Sequence, residues 1–282
     1  MPIRSLRLPI LFLISFLVGF VFLSGLQNVR AQDGDQFDFN KALTDYEYVY
    51  NQYRQTHLQY ETAKKAYLKF KTLNSKDEAR GKTALMLRLR DETIRTYLTV
   101  LRLKLADVTR IDDYNLSLFY LKLDEEMIWY LEHASSFKSA GTLEDLLVLA
   151  KASEKKYDTQ SLNVAYQTLH GIINYKVAQN TDQVETQVKA IRTKLNQIKQ
   201  AGDKDVTLGE RWLLEAENRL AWSKEKQAQS QIKINEINQR RYGGKRETIF
   251  YQARFLLEEA QQYLKETNSY LLEVIKEIKN AD

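Results

Sequence analysis

Two features of the sequence predict an all-α protein, an elongated bundle of about six or seven long helices in antiparallel hairpins with coiled-coil-like heptad packing. Apolar residues recur at seven-residue spacing along most of the 282-residue chain. The only two prolines, Pro2 and Pro9, lie at the extreme N-terminus, so nothing downstream removes a helix-forming N–H. Cysteine is absent, which excludes disulfides, zinc thiolates and thiol nucleophiles.

The first segment reads as a leader. No charge separates Arg7 from Arg30, and Leu8 to Leu26 is almost wholly apolar behind a positively charged start. Such a run places the N-terminus in the cytoplasm and the remainder outside. Val29 and Ala31 suit a signal-peptidase site with cleavage before Gln32; if the leader is retained, residues 8–26 are long enough to anchor the chain in a bilayer. Residues 1–31 are therefore expected to be a signal peptide or signal anchor, 32–37 a linker, and 38–282 a helical bundle, with a subdivision near 140–160.

In the first helix Phe39, Tyr46, Tyr53, Tyr60 and Tyr67 repeat every seven residues, and Ala42, Val49, Thr56, Ala63 and Phe70 follow three places behind. Large rings alternate with mostly small side chains along one stripe, as close helix packing requires. This row is expected to be core. Tyr48 and Tyr50 lie off it and are candidates for an exposed contact.

Leu73-Asn74-Ser75 interrupts the pattern, and Ser75 with Glu78 has capping-box spacing for a second helix. Its seam comprises Leu87, Ile94, Leu98, Leu101, Leu105 and Val108. So short a connection makes helices one and two an antiparallel hairpin. A third helix starts near Asp112 or Asp113 and carries Leu116, Tyr120, Leu123, Met127, Tyr130, Ala134 and Phe137; Ser139-Ala140-Gly141 ends it. Thr142 with Asp145 caps a fourth, through Leu146, Leu149 and Ala150. A break or kink is expected near Asp158. Beyond it Val184, Val188, Ile191, Leu195 and Ile198 carry a seam that closes at Ala201-Gly202-Asp203.

Thr207 and Glu210 have the spacing to cap the next helix. Its second half, Ser223 to Arg241, is markedly polar and is expected to project from the core or lie on its surface. After Tyr242-Gly243-Gly244 comes the most regular pattern: Phe250, Ala253, Leu257, Ala260, Leu264, Thr267, Leu271, Val274 and Ile278. Ile249, Leu256, Tyr263 and Tyr270 widen that stripe, which favours a bundle over a two-stranded coil.

Chemistry is thinly represented. His57, His133 and His170 lack the Glu-x-x-His and His-Glu-x-x-His spacings of metal helices, so no metal or other cofactor is expected, and half-buried or surface imidazoles are. The acidic pairs around Asp124, Glu125 and Glu126 and at Glu258 and Glu259 read as solvated faces. Hydrolase, P-loop and dinucleotide motifs are missing, which points away from an enzyme.

The formal charge is +5, but Arg4, Arg7 and Arg30 in the leader supply three of the five. The rest of the chain carries about +2, far below what nucleic-acid binding concentrates. A basic cluster, Arg240, Arg241, Lys245 and Arg246, flanks the Gly-Gly turn and is a candidate contact for an anionic partner. The expected role is a non-enzymatic extracytoplasmic scaffold or binding module at the cell envelope, periplasmic, secreted or on the cell surface, contacting a protein or an envelope polymer. The alternative is a membrane-tethered adaptor of a secretion, efflux or division complex.

Overall fold

The computed structural model describes residues 33–108, 114–202, 205–239 and 246–280. The leader, the boundary at Asp112 and Asp113, and Arg240, Arg241 and Lys245 lie outside them. Seven α-helices make up the described residues: α1 Asp33–Phe70, α2 Leu73–Val108, α3 Tyr114–Ser136, α4 Leu143–Lys156, α5 Leu162–Ala201, α6 Thr207–Asn235 and α7 Arg246–Asn280. A π-turn, Tyr157–Ser161, joins α4 to α5, and a short 3₁₀ turn ends α6. The described residues contain no strand, and none of their helices is long and apolar enough to cross a membrane.

Heptad residues form the interior as their spacing requires. Tyr46, Tyr53, Tyr60, Ala42 and Ala63 of α1 are buried against Leu87, Ile94, Leu98, Leu101 and Leu105 of α2. The α1–α2 connection is two residues long. Lys71 takes a left-handed φ of 51° that stops α1, and its N–H still reaches the Tyr67 carbonyl at 2.9 Å. Thr72 then caps α2: Ser75 N–H donates to Thr72 Oγ1 at 3.2 Å and Thr72 N–H to Ser75 Oγ at 3.1 Å. Capping thus falls three residues earlier than the Ser75–Glu78 expectation, because the left-handed residue precedes Thr72. Between Thr142 and Asp145 the expected capping box is present, with reciprocal bonds of 2.9 and 3.1 Å. Thr207 is not a cap: it is the first residue of α6, and its N–H is satisfied by Asp205 Oδ1 at 2.9 Å.

Near Asp158 the chain does not break. From Leu143 to Ala201 helix continues through the π-turn, giving a rod of roughly 90 Å at 1.5 Å per residue. Gly202, at φ 76°, ends it in the left-handed conformation that glycine adopts without a Cβ clash. Two bundles share this rod. Around its first part pack α2 and α3, with α1 laid against α2; along its second part, α6 runs antiparallel and α7 parallel to α5. Gly171 permits the close approach of α3 to the rod, since a Cβ there would stand 3.2 Å from the Phe119 ring.

The polar second half of α6 lies along the core and buries one face in it, while Lys224, Glu225, Gln231 and Ile232 on the other face are exposed. Ser223, Ser230, Ile234 and Ile237 are buried, and Ala216, Ser223 and Ser230, seven residues apart, face Ala253, Ala260 and Thr267 of α7, all fully enclosed. Small side chains at every seventh position let the two backbones approach, and Ser230 Oγ donates to the Ala253 carbonyl at 2.6 Å. A serine with its hydroxyl satisfied in this way packs like an alanine, so low hydropathy here does not mean exposure.

Candidate functional site

Of the six residues singled out as candidate contacts, the structure describes three and does not bring them together. Tyr48 is 66 % exposed on α1. Tyr50 is half-buried, stacked on Tyr46 at 6.0 Å with Arg54 over its ring, so it belongs to the packing and not to an open contact. Arg246 is half-buried at the start of α7, where its charge acts on the Tyr166 hydroxyl.

The densest chemistry among the described residues is buried between α2, α3, α4 and the π-turn. Asp91 is wholly enclosed. Its Oδ2 lies 2.5 Å from His133 Nδ1, and its Oδ1 accepts from Ser153 Oγ at 2.6 Å with Arg90 Nε at 3.7 Å. Arg90 itself is anchored to the Ala150 carbonyl at 3.3 Å. Two turns along α3, Glu126 pairs with Lys156 Nζ at 2.8 Å and accepts from Ser161 Oγ at 2.6 Å. Ser161 thereby spends its proton on Glu126, and the Tyr130 hydroxyl donates to it at 2.8 Å. Trp129 links the two groups, stacked on His133 at 4.5 Å and with Lys156 Nζ 5.6 Å from its ring centre.

The π-turn explains how Lys156 and Ser161 reach one carboxylate. Residues five apart point in different directions on an α-helix, whereas i→i+5 bonding brings them onto the same side. Serine, histidine and aspartate do meet here, but in the wrong order for a nucleophile: Ser153 donates to the carboxylate, not to the imidazole. His133 Nε2 is buried with no partner in the protein. The arrangement holds three helices together through charge-assisted hydrogen bonds.

Two expectations need correction. Glu126 is buried at 5 % exposure and does not belong to a solvated face. His170 is enclosed, not at the surface: its Nε2 lies 2.7 Å from Ser230 Oγ, and burial lowers its pKa to about 4. Nearby, burial pushes the Tyr97 hydroxyl well above the ordinary tyrosine range, with smaller contributions from Tyr46 and Tyr157. No group of three or more His, Asp or Glu side chains among the described residues is placed to hold a metal ion.

An accessible groove of about 550 Å³ runs between α5 and α7. Gln179, Asn180, Gln183 and Gln187 line one wall, Gln261 and Asn268 the other, with Lys176 and Lys265 at the sides and Val184 and Leu264 on the floor. Beyond Gln187 and Asn268 it continues into an apolar hollow of about 500 Å³ bounded by Ile191, Leu271, Leu272 and Ile275. Each amide both donates and accepts, so the lining can bond neutral hydroxyl or amide groups in either sense. In the sequence these residues carry neither the charge nor the aromatic rings that mark out a candidate contact. The signal was present: positions 179, 180, 183 and 187 share one helix face and carry amides where charges are usual.

Compared with family models, curated proteins and solved structures, the chain matches none.

Proposed function

We propose that this protein is a non-enzymatic extracytoplasmic scaffold whose α5–α7 groove binds an envelope polymer rich in hydroxyl and amide groups. The observation that carries the reading is the groove lining, in which six amides face an open channel with an apolar floor. Amides suit a neutral, extended ligand: they orient it by hydrogen bonds while the apolar floor supplies contact area. The apolar leader preceding the bundle supports export. The Asp91 and Glu126 carboxylates are each engaged by side chains of neighbouring helices, which supports a structural role for them.

The test combines location and binding. Fractionation of the native host should find the chain outside the cytoplasm, beginning at Gln32. Envelope polymer isolated from that host should bind it in calorimetry, and Gln183→Leu with Asn268→Leu should weaken binding by at least about tenfold, the loss of two ligand hydrogen bonds. A cytoplasmic chain, or binding indifferent to both substitutions, overturns the reading.

The tethered-adaptor alternative draws on the length of the Leu143–Ala201 rod. With the leader retained, the bundle would reach roughly 90 Å through an envelope compartment. Recovery of chains beginning at Met1 in the membrane fraction would select it.

A further inference from the structure

We infer that the tip of the α1–α2 hairpin docks on an anionic phospholipid bilayer, inserting Leu68, Phe70 and Leu73 among the headgroups. No residue from Lys64 to Glu78 is buried. The hairpin therefore projects as a two-helix tip past the α3–α4 turn, whose Ala140 carbonyl meets Arg80 at 3.5 Å. On the tip Leu68 is 60 %, Phe70 60 % and Leu73 72 % exposed. The seven-residue seam that buries Ala42 and Ala63 would place Phe70 next in line, yet its ring stands in solvent, with Lys69 Nζ 5.0 Å from its centre.

Charge selects the occupant. From Lys64 to Glu78 the sequence holds five lysines, Lys64, Lys65, Lys69, Lys71 and Lys76, against two acidic residues, Asp77 and Glu78, both at the α2 end, in a chain otherwise close to neutral. Lysines surrounding exposed apolar side chains are the pattern of an interfacial segment on anionic lipid. A protruding tip offers no concave pocket to a shaped ligand, whereas a fluid headgroup layer closes around it.

Backbone chemistry agrees. The sharp turn leaves few polar groups to desolvate, since Lys71 N–H, Thr72 N–H and Ser75 N–H are all bonded within it, and Ser75 Oγ donates to the Thr72 carbonyl at 2.9 Å. This inference does not depend on what the groove binds.

The chain lacks cysteine, so a single introduced thiol labels one position. The full chain carrying Asn74→Cys with an environment-sensitive fluorophore is mixed with phosphatidylcholine vesicles with and without phosphatidylglycerol; a label at Ala221→Cys on α6 is the control. Because the readout is local, any binding through the leader does not imitate it. A blue-shifted, brighter signal is expected at position 74 only, only with anionic vesicles, and weakened by added salt. Lys69→Glu with Lys71→Glu should raise the lipid concentration needed by at least about tenfold. Leu68→Ser, Phe70→Ser and Leu73→Ser together should abolish the shift while leaving the thermal melt unchanged, as these side chains are exposed. An unchanged signal at position 74, an equal change at 221, or a shift produced by soluble polyglutamate and not by vesicles overturns the proposal. So does a signal surviving the triple serine variant.

Discussion

Asp91 sets the balance at the residue scale. Removing a carboxylate from water costs several kcal/mol, and that penalty is met only when every lone pair is engaged. Here His133, Ser153 and Arg90 surround it from three helices, so the carboxylate ties α2, α3 and α4 in one register. His170 poses the opposite problem: nothing charged faces it across the Ser230 hydroxyl, and burial alone lowers its pKa from 6.5 to about 4. Below the ordinary histidine range the unfolded chain takes up a proton that the folded chain refuses. Its contribution is therefore fully present above about pH 6.5, falls as the pH drops towards 4, and then levels off; the whole step is roughly 3 kcal/mol. Urea melts at about pH 7 and about pH 5 should show a loss of roughly 2 kcal/mol from this group. His170→Gln, which keeps an N–H for Ser230, should remove that part of the pH dependence, and an unchanged slope would exclude His170 as its source. None of this could be read from the sequence, where Asp91, His133 and Ser153 are scattered and His170 sits beside a glycine. Long-range partners among irregularly spaced polar residues leave no periodic trace.

Elements were legible where one force dominated. Every residue of the α7 stripe from Phe250 to Val274 is buried because a wide apolar face on a proline-free segment has only one low-energy solution. Capping near Ser75 was located but misassigned, since Thr72 and Ser75 are both competent caps and only the left-handed Lys71 decides between them. On α6 the reading missed the buried face for a different reason: hydropathy ranks serine with surface residues, while packing counts its volume and its satisfied hydroxyl. At Asp158 an irregularity was expected and one exists, yet as a π-turn it inserts a residue without ending the helix. The role of the contact that the turn creates can be tested at Ser161, which i→i+5 bonding brings to the side of Lys156. Ser161→Ala removes the hydroxyl that joins the Glu126 carboxylate to the Tyr130 hydroxyl, so thermal melting should fall by several degrees, for a loss of roughly 1–3 kcal/mol, while helical content by circular dichroism barely changes. A variant melting like the parent would show that the contact is incidental.

On the scale of the whole molecule, the shared α4–α5 rod decides the shape. A chain of this size packed as a globule would have a radius of gyration of about 18 Å. Two bundles placed in series along one helical rod of roughly 90 Å cannot be that compact: a uniform rod of such length already gives about 26 Å. The same arrangement separates the functions proposed for the two ends. The α1–α2 tip lies beyond the start of the rod, near Ala140, whereas the amide groove runs along its second part between Lys176 and Gln187. Both bundles are fixed to one helix, so their spacing is set by covalent geometry and not by a flexible linker. Small-angle scattering of residues 32–282 is therefore expected to give a radius of gyration of at least about 26 Å and a distance distribution with a long tail. A second label on the groove, at Gln187→Cys, should then report a single narrow distance to the Asn74→Cys tip by spin-label spectroscopy. A compact radius or a broad distance would mean that the π-turn bends or hinges, and the groove and the tip would no longer act as two ends of one spacer.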